Sequence, residues 1–485
     1  MNVKPVFHVI ARLLGVMALL MGFCALVSYL HGEPAAAWRA LAYPGAATLA
    51  GSAALWVLTR NDRELTRRDG LGVVAFGWLL AGMVGACPYV LSGVIASPTA
   101  ALFETVSGMT TTGASVIPIL EDVPQGILLW RAITQLIGGM GVLVLVVAIL
   151  PVAGAGGMQL YRAEMPGPTK DRIEPRMAQT AKMLWGVYVI LVVALIFLLR
   201  LGGMDWFAAV CHSFSAMATG GFSTRTASIA AYDSVYVESV LTVFMLLAAM
   251  NFALHYRVLR GEATAWWKDG EGRFFLGFLG LCVAGGTWIF HAARAADGLG
   301  WGTSLREVAF TCVSLVTTTG FVTGDFERWP VVLKPMLLFL MLLGGCAGST
   351  AGGIKVGRIQ VLFKAIVREA HLFMQPQAAI PIRLGRKILE DDVLRSILSF
   401  VALYLLVALL GMLAMILFSA DIQTAGSAAV TCLSNVGPGF STVGPMANFA
   451  AIPTGGQAIL TVLMLVGRLE LYTVLAIFMP AFWRK

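Results

Sequence analysis

Four short polar segments interrupt the long apolar stretches of this chain, and each is rich in threonine, serine and glycine. They read FETVSGMTTTGASV (103–116), HSFSAMATGGFST (212–224), FTCVSLVTTTGFVTGD (310–325) and TCLSNVGPGFSTVGP (431–445). The glycines that close their polar parts are Gly113, Gly221, Gly320 and Gly439, at spacings of 108, 99 and 119 residues. Glycine weakens a helix by roughly 1 kcal/mol relative to alanine. Each segment therefore predicts a break in a helix, and the near-constant spacing indicates a unit repeated four times.

The backbone at such breaks has the chemistry needed to coordinate a cation. Irregular backbone inside a membrane is tolerated only where protein or a water-filled cavity satisfies its polar groups. Four breaks at one depth would present rings of carbonyl oxygens that can replace the water around a cation, and glycine lets the chain turn them inward. The half-helix before each break would direct the negative end of its dipole to the same point. The threonine- and glycine-rich parts contain no charged residue, which argues against an anion pathway and against a carboxylate site for a divalent cation.

Close helix packing is the alternative explanation for segments of small residues in membrane helices. Packing would be sufficient for one isolated segment. Four segments at a repeat period, each followed by a turn and another apolar run, favour the cation pathway.

The composition indicates an integral membrane protein. Of the 485 residues, 58% are hydrophobic and only 12% are charged, whereas a soluble domain carries roughly 25% charged residues. Apolar runs long enough to cross about 30 Å of hydrocarbon recur along the chain, as at 9–30. We expect ten crossings: two at about 9–31 and 38–60, then four pairs.

The distribution of charge predicts the orientation of these crossings. Basic residues cluster in alternate loops, and the intervening loops are more acidic, which is the positive-inside pattern. Both termini are therefore expected in the cytoplasm, and the net charge of +8 does not predict a nucleic-acid partner. The basic clusters lie at 60–68, 161–182, 255–260, 355–368, 383–387 and the terminal WRK.

The cysteines and histidines do not form a recognisable site. The seven cysteines lie singly in apolar or near-apolar surroundings, which is typical of small buried side chains and not of a disulfide or zinc framework. The six histidines are scattered, and we interpret them as helix-end or interfacial residues.

Two further features stand out in the second half of the chain. The run LLGGCAGSTAGGIK (342–355) has five glycines in ten residues and cannot continue an ordinary helix. It lacks the GK[ST] ending and the preceding strand of a phosphate-binding loop, so a flexible kink and an intramembrane loop remain. Arg468 lies in an apolar run, where a charge is costly and functional by default. Glu470, two residues away, points to another side of a helix, which leaves a structural partner on another helix as the alternative.

The four segments, the repeats and the C-terminal GRLELYTVLAIFMPAFW (467–483) resemble the Trk/Ktr/HKT superfamily of potassium transporters over essentially the whole chain. The two helices before the first repeat resemble the bacterial Trk transmembrane subunit. The resemblance implies an all-α integral membrane protein with ten transmembrane helices, in which four helix–pore-loop–helix repeats surround a quasi-fourfold, potassium-channel-like pore.

The resemblance also implies which residues contact the ion. The fourth loop can be aligned on Gly437 or on Gly439, and Gly437 is favoured because Asn-Val-Gly then matches the Thr-Val-Gly of potassium channels. In plant relatives a serine at the position of Gly113 accompanies sodium transport, so glycine there favours potassium. The implied selectivity filter is Thr111, Thr112, Gly113, Thr219, Gly220, Gly221, Thr318, Thr319, Gly320, Asn435, Val436 and Gly437.

Below this filter the resemblance implies a gate and a barrier. Arg468 would act as an electrostatic barrier, and Glu104 is expected to anchor the first pore helix because a buried acid needs partners. The intramembrane gating loop, 344–353, would contain Gly344, Gly345, Gly348, Ser349, Thr350, Gly352 and Gly353. The implied division is two N-terminal helices (1–68) and pore repeats at 69–176, 177–268, 269–390 and 391–485.

The expected function is potassium uptake across a bacterial inner membrane, with K⁺ as the transported ion and no catalysis. The chain contains no GxGxxG at a strand–helix junction and no Walker loop, so a nucleotide is not expected to bind it directly. The family implies a homodimer in the lipid bilayer with a cytosolic ring of nucleotide-binding regulatory subunits of the TrkA type. A less selective pore, a sodium- or proton-coupled carrier and a membrane enzyme are the alternatives. The carrier would need midplane charges, and the enzyme would need clustered acids, histidines or a metal motif.

Overall fold

The structure is a computed structural model that describes residues 3–60, 66–149, 173–295, 298–384, 387–418 and 421–483. It is mainly helical, as expected from the apolar composition. Parts of four predicted basic clusters, 61–65, 161–172, 385–386 and 484–485, lie outside the described residues.

The chain begins with two long helices, which pack against each other before the first repeat. Helix α1 spans Val3–Leu30 and α2 spans Ala35–Leu58. Pro44 lies inside α2. These helices correspond to the first two predicted crossings, with the start of α1 several residues earlier than expected.

Four units follow, and each has a long helix, a short helix, a loop and a further helix. In the first unit these are α3 (Arg67–Leu91), α4 (Pro98–Met109) and α5 (Gln125–Ile149). The second contains α6 (Ile173–Leu201), α7 (Trp206–Met217), α8 (Val235–Ala249) and α9 (Phe252–Leu259), followed by the connecting turn α10 (Ala265–Lys268). The loop segments predicted from glycine and threonine follow α4 and α7.

The last two units have the same order. The third contains α11 (Gly270–Arg294), α12 (Trp301–Val316), α13 (Lys334–Leu342) and α14 (Val356–Met374), then a two-stranded antiparallel hairpin of β1 (Arg383–Leu384) and β2 (Lys387–Ile388). The fourth contains α15 (Asp391–Ile416), α16 (Ile422–Ser434), α17 (Thr454–Arg468), α18 (Leu471–Phe478) and α19 (Pro480–Trp483).

Three of the short helices, α4, α7 and α16, begin at a residue whose side chain satisfies a free amide, whereas α12 begins after Gly300, which has no side chain to do so. The side chains of Ser97, Asp205 and Asp421 accept hydrogen bonds from amides in the first turns of α4, α7 and α16, which is the usual role of an N-cap. A hydrogen bond from the side chain of Ser441 and those around Thr424 lower the pKa of Asp421 to about 2.

Three of the four units interrupt the helix that follows the loop. Helices α8 and α9 are bent by 105° at Met250 and Asn251, and the side chain of Asn251 accepts from the amide of Ala253. A loop of thirteen residues, 343–355, separates α13 from α14, as the glycine run predicted. Helix α17 ends before Glu470, whose φ is +60°. The sequence analysis did not predict the breaks at 250 and 470.

Several of these helices could cross a membrane. Within the described residues, six are long and apolar enough, or seven if the bent pair α8–α9 is one span. The expected multi-pass architecture is therefore confirmed in its coarse form, and ten crossings stay a prediction.

Candidate functional site

All four short helices end in the same backbone conformation. One or two positions after the last residue of each helix, a residue other than glycine adopts a left-handed conformation, with φ between 53° and 57°, which costs roughly 1–2 kcal/mol for an L-residue. Two positions later a glycine also has positive φ. The four triplets are Thr111–Thr112–Gly113, Thr219–Gly220–Gly221, Thr318–Thr319–Gly320 and Asn435–Val436–Gly437; we call them the ring loops.

Helix-terminating hydrogen bonds explain why this conformation is tolerated. In every ring loop the middle residue donates its amide to a carbonyl five residues earlier in the short helix. The distances are 2.8 Å for Thr112 to Ser107, and 2.9 Å for Gly220 to Ser215, Thr319 to Ser314 and Val436 to Thr431. This bond closes a Schellman motif, which satisfies a carbonyl that the helix end would leave unpaired.

The four ring loops close into a ring through one repeated contact. A β-carbon built on the glycine of each loop would lie against the carbonyl oxygen of the middle residue of the next loop. The distances are 2.2 Å from Gly113 to Gly220, 2.0 Å from Gly221 to Thr319, 2.0 Å from Gly320 to Val436 and 2.7 Å from Gly437 to Thr112. Side chains essentially never approach an oxygen so closely, so only glycine permits the ring to close.

The register of the fourth loop follows from the same contact. Gly437 has φ +104° and closes the ring against Thr112. Gly439 has no positive φ, and its amide donates to the carbonyl of Val443 at 2.7 Å. Gly437 is therefore the structural equivalent of Gly113, which is the alignment favoured from Asn-Val-Gly.

One cavity is lined by the glycines of all four ring loops, together with Arg131 and residues of the outer connections. Within the described residues, no group of three His, Cys, Asp or Glu side chains could hold a metal. A cation at the ring would therefore meet backbone and hydroxyl oxygens.

A buried ion pair supports the first two ring loops. Glu104 of α4 and Arg131 of α5 are both at most 1% exposed, and Nε of Arg131 lies 2.9 Å from Oε1 of Glu104. Glu104 accepts from the amide of Val116 at 2.8 Å. Arg131 donates to the carbonyl of Ser223 at 3.2 Å, and its guanidinium lies 4.0 Å from the centre of the Phe222 ring. Glu104 thus holds the chain leaving the first loop, and Arg131 connects it to the second.

The sequence analysis expected Glu104 to be an anchor but missed Arg131. A single arginine in LLWRAITQLIGG (128–139) is the signal that could have found it, by the same reasoning that selected Arg468.

The interpretation of His212 as a helix-end or interfacial residue was wrong. It is fully buried, and its ring forms hydrogen bonds with the carbonyl of Ala208 at 2.7 Å and with the hydroxyl of Ser223 at 2.9 Å.

The loop 343–355, which we call the crossing loop, lies against the C-terminal ends of the short helices. Its ends are joined by a parallel bridge between Leu343 and Ile354. The hydroxyl of Thr350 donates to the carbonyl of Met217 at 3.1 Å, and the amide of Gly352 donates to the hydroxyl of Thr318 at 2.7 Å. A β-carbon on Gly352 would lie 2.3 Å from the carbonyl oxygen of Ser434. The crossing loop therefore contacts the second, third and fourth units next to the ring.

Arg468 joins the crossing loop to the first unit. It is 4% exposed and donates to the carbonyl of Thr350 at 2.8 Å and to that of Gly138 at 3.2 Å. Gly138 lies against the last residue of α4, because a β-carbon there would be 1.8 Å from the carbonyl oxygen of Met109. Glu470 instead pairs with Arg358 at 3.0 Å, as expected from its different direction.

Comparisons with known proteins place this chain in a family. The model of the TrkH family, described as cation transport protein, matches residues 40–285 and 286–485. The Trk system potassium uptake protein TrkH of Salmonella typhimurium is 40% identical over 490 residues, which cover 99% of this chain and 100% of the relative. The protein of that name from Halomonas elongata is 38% identical over 492 residues, covering 100% of both. The crystal structure of the potassium transporter TrkH from Vibrio parahaemolyticus superposes with a TM-score of 0.91 at 35% identity, covering 100% of both chains.

The buried ion pair makes a prediction about stability. Replacing Arg131 by methionine leaves the carboxylate of Glu104 buried without its partner, which costs roughly 3–5 kcal/mol. We expect Arg131→Met to lower the unfolding temperature in detergent. Adding Glu104→Gln should restore part of the loss, because no unpaired charge remains.

The control for this experiment is Arg225→Met, which removes an exposed arginine from the outer connection of the second unit. It should unfold near the wild-type temperature. Arg131→Met with an unchanged unfolding temperature would show that the ion pair does not hold the two loops.

Proposed function

The chain belongs to the TrkH family of cation transport proteins, and from this we propose that its ring loops form the selectivity filter of a potassium uptake pathway. Like its relatives, the chain is a potassium transporter and not an enzyme. The observation that carries the filter is the closed ring of four equivalent contacts between glycines and carbonyl oxygens.

The ring has the chemistry that selection of a dehydrated cation requires. Carbonyl oxygens replace the water that K⁺ loses on entry, and four short helices end at the ring, where the negative ends of their dipoles stabilise a cation. We assign ion contact to the three residues of every ring loop, with Gly437 in the fourth. Glycine at 113 favours potassium over sodium.

The crossing loop is proposed as the gate. It contacts three units directly and the first through Arg468, on the side of the ring where the short helices end, which supports this proposal. Gly344 to Gly353 obstruct the pathway in this arrangement, and the guanidinium of Arg468 repels cations there. Movement of the loop requires that its hydrogen bonds are exchanged. These include the bonds of Thr350, Gly352 and Arg468 and the bond from the amide of Cys346 to the carbonyl of Ala249.

The topology and the partners follow from the family relationship. The pathway is built of four pore repeats with ten crossings, and both termini lie on the cytoplasmic side of a bacterial inner membrane. The protein is proposed to act as a homodimer and to bind a cytosolic ring of nucleotide-binding subunits. Residues 371–387, with exposed Phe373 and Met374, are the proposed docking segment for that ring.

Uptake of radioactive rubidium into proteoliposomes that contain only this protein tests the proposal. Potassium should compete with rubidium far better than sodium does. Equal competition by sodium would replace the proposal with a less selective cation pore. An effect of an imposed sodium or proton gradient would instead indicate coupled transport.

The ring contact predicts the effect of a methyl group on uptake. Gly320→Ala places a β-carbon 2.0 Å from the carbonyl oxygen of Val436 at a positive φ. We expect rubidium uptake to fall by about fivefold or more, because overpacking of this kind costs about 1–3 kcal/mol. Gly324→Ala is the matched control, since no atom lies within 4 Å of its built β-carbon. Equal uptake by both variants would contradict ring closure by glycine.

The gate makes a separate prediction. Arg468→Ala removes both hydrogen bonds that connect the crossing loop to the first unit, and it removes the positive charge. We expect a higher rubidium leak in the absence of any cytosolic partner. Arg306→Ala, which removes the partly exposed partner of Glu238, should leave the leak unchanged. A lower flux for Arg468→Ala at normal expression would assign the arginine a structural role.

A further inference from the structure

One residue breaks the fourfold pattern behind the ring. The helices that follow the ring loops contain a common motif, in which a buried residue is followed by two apolar residues and then by glycine or alanine. The motifs read ITQLIGG (133–139), VFMLLAA (243–249), FLMLLGG (339–345) and VLMLVGR (462–468). The third position is methionine in three units and Gln135 in the first, and all four side chains are 0% exposed.

The structure supports this alignment for the first and fourth units. Built β-carbons on Gly138 and Gly467 both lie 1.8 Å from a carbonyl oxygen, those of Met109 and Leu433. These oxygens belong to residues four positions before the ring glycines of their own units. The third position of the motif is therefore structurally equivalent in the first and fourth units.

Gln135 uses both ends of its amide on the second ring loop. Its Nε2 donates to the carbonyl of Gly220 at 2.6 Å, and its Oε1 accepts from the amide of Phe222 at 3.3 Å. It thus holds the residues on both sides of Gly221, the ring glycine. Methionine at this position has no donor and only a weak acceptor, so no other unit can form this pair of bonds.

A second departure from the fourfold pattern accompanies the first. The middle residue of the ring loop is threonine or valine in three units, and Gly220 in the second. A β-carbon on Gly220 would lie 2.4 Å from Cδ and 2.6 Å from Nε2 of Gln135. The glutamine amide therefore occupies the space that a side chain takes in the other loops. Glutamine in place of methionine and glycine in place of a larger middle residue thus belong together as a pair.

The carbonyl that Gln135 holds is one of the four that close the ring. The oxygen of Gly220 lies against Gly113 of the first loop, so it belongs to the same layer as those of Thr112, Thr319 and Val436. An amide donor on this oxygen competes with a cation for its electron density, and it restrains a Gly-Gly pair that otherwise has the greatest backbone freedom in the ring.

We propose that Gln135 is a specificity-determining residue of the ring, which holds the Gly220 carbonyl so that the second loop cannot close around a smaller cation. The inference rests on the proposed filter and concerns its discrimination between potassium and sodium. Without the amide, the Gly220–Gly221 segment moves inward and coordinates Na⁺ more readily. The other three loops need no such restraint because their middle residues have side chains.

The experiment measures the ratio of sodium to potassium concentrations that halve rubidium uptake by the full-length protein in proteoliposomes. Gln135→Met introduces the residue of the other three units and should lower this ratio about fivefold, the change expected for one hydrogen bond. Gln135→Glu, which keeps the acceptor for Phe222 but loses the donor, should lower it likewise. The double variant Gln135→Met/Gly220→Thr should recover the ratio.

Gln457→Met is the matched control. Gln457 is also buried, and its amide donates to the carbonyl of Phe449 at 3.2 Å, outside the ring loops. An unchanged concentration ratio in folded Gln135→Met and Gln135→Glu would overturn the inference. A fall of the ratio in Gln457→Met as large as that in Gln135→Met would overturn it as well. If the double variant has a concentration ratio as low as that of Gln135→Met, the idea that Gln135 and Gly220 compensate for each other is wrong. A wild-type protein whose rubidium uptake potassium does not inhibit would refute the proposed function itself.

Discussion

The contact between a glycine and the carbonyl oxygen of the next loop is the constraint on which the site depends. It occurs four times around the ring, and at each position the space for a β-carbon is filled by that oxygen. The left-handed residue two positions earlier places the glycine, and the Schellman hydrogen bond places that residue relative to its short helix. The ends of the four short helices are therefore fixed relative to one another by backbone atoms, and a side-chain hydrogen bond from Nδ2 of Asn435 to the hydroxyl of Thr112 at 2.9 Å adds to this between the fourth and first loops.

Two buried arginines serve this ring in different ways. Arg131 is paired with Glu104, and the two opposite charges of this buried pair add no net charge beside the ring. Arg468 donates only to carbonyl oxygens among the described residues, and its Nε has no hydrogen-bond partner there. The carbonyl dipoles of Thr350 and Gly138 stabilise its positive charge, but no carboxylate neutralises it among the described residues. The first arginine is suited to holding loops in place, and the uncompensated charge of the second fits the barrier role proposed for it.

The four units are equivalent at the ring but differ around it. The helix after the loop is continuous in the described part of the first unit, and it is interrupted in the other three, at Asn251, in the crossing loop and at Glu470. The Gln135–Gly220 pair replaces a methionine and a larger residue in one quarter only. Because one chain forms all four units, the proposed gate and the proposed restraint can each occupy a single quarter, which a ring of four identical subunits would not allow.

The sequence alone determined the class of the protein, the four breaks and their repetition, because hydropathy, glycine content and spacing are local properties of the chain. The crossing loop was predictable for the same reason, since five glycines in ten residues cannot remain helical. Only the tertiary structure decided between Gly437 and Gly439, because the choice depends on which glycine meets Thr112, more than 300 residues earlier. The roles of Arg131, His212 and Gln135 likewise come from contacts that include residues of the second loop, at Ser223, Gly220 and Phe222. A single buried polar residue carries no local signal that identifies its partner, because the energy of its hydrogen bonds is realised only after the helices have packed.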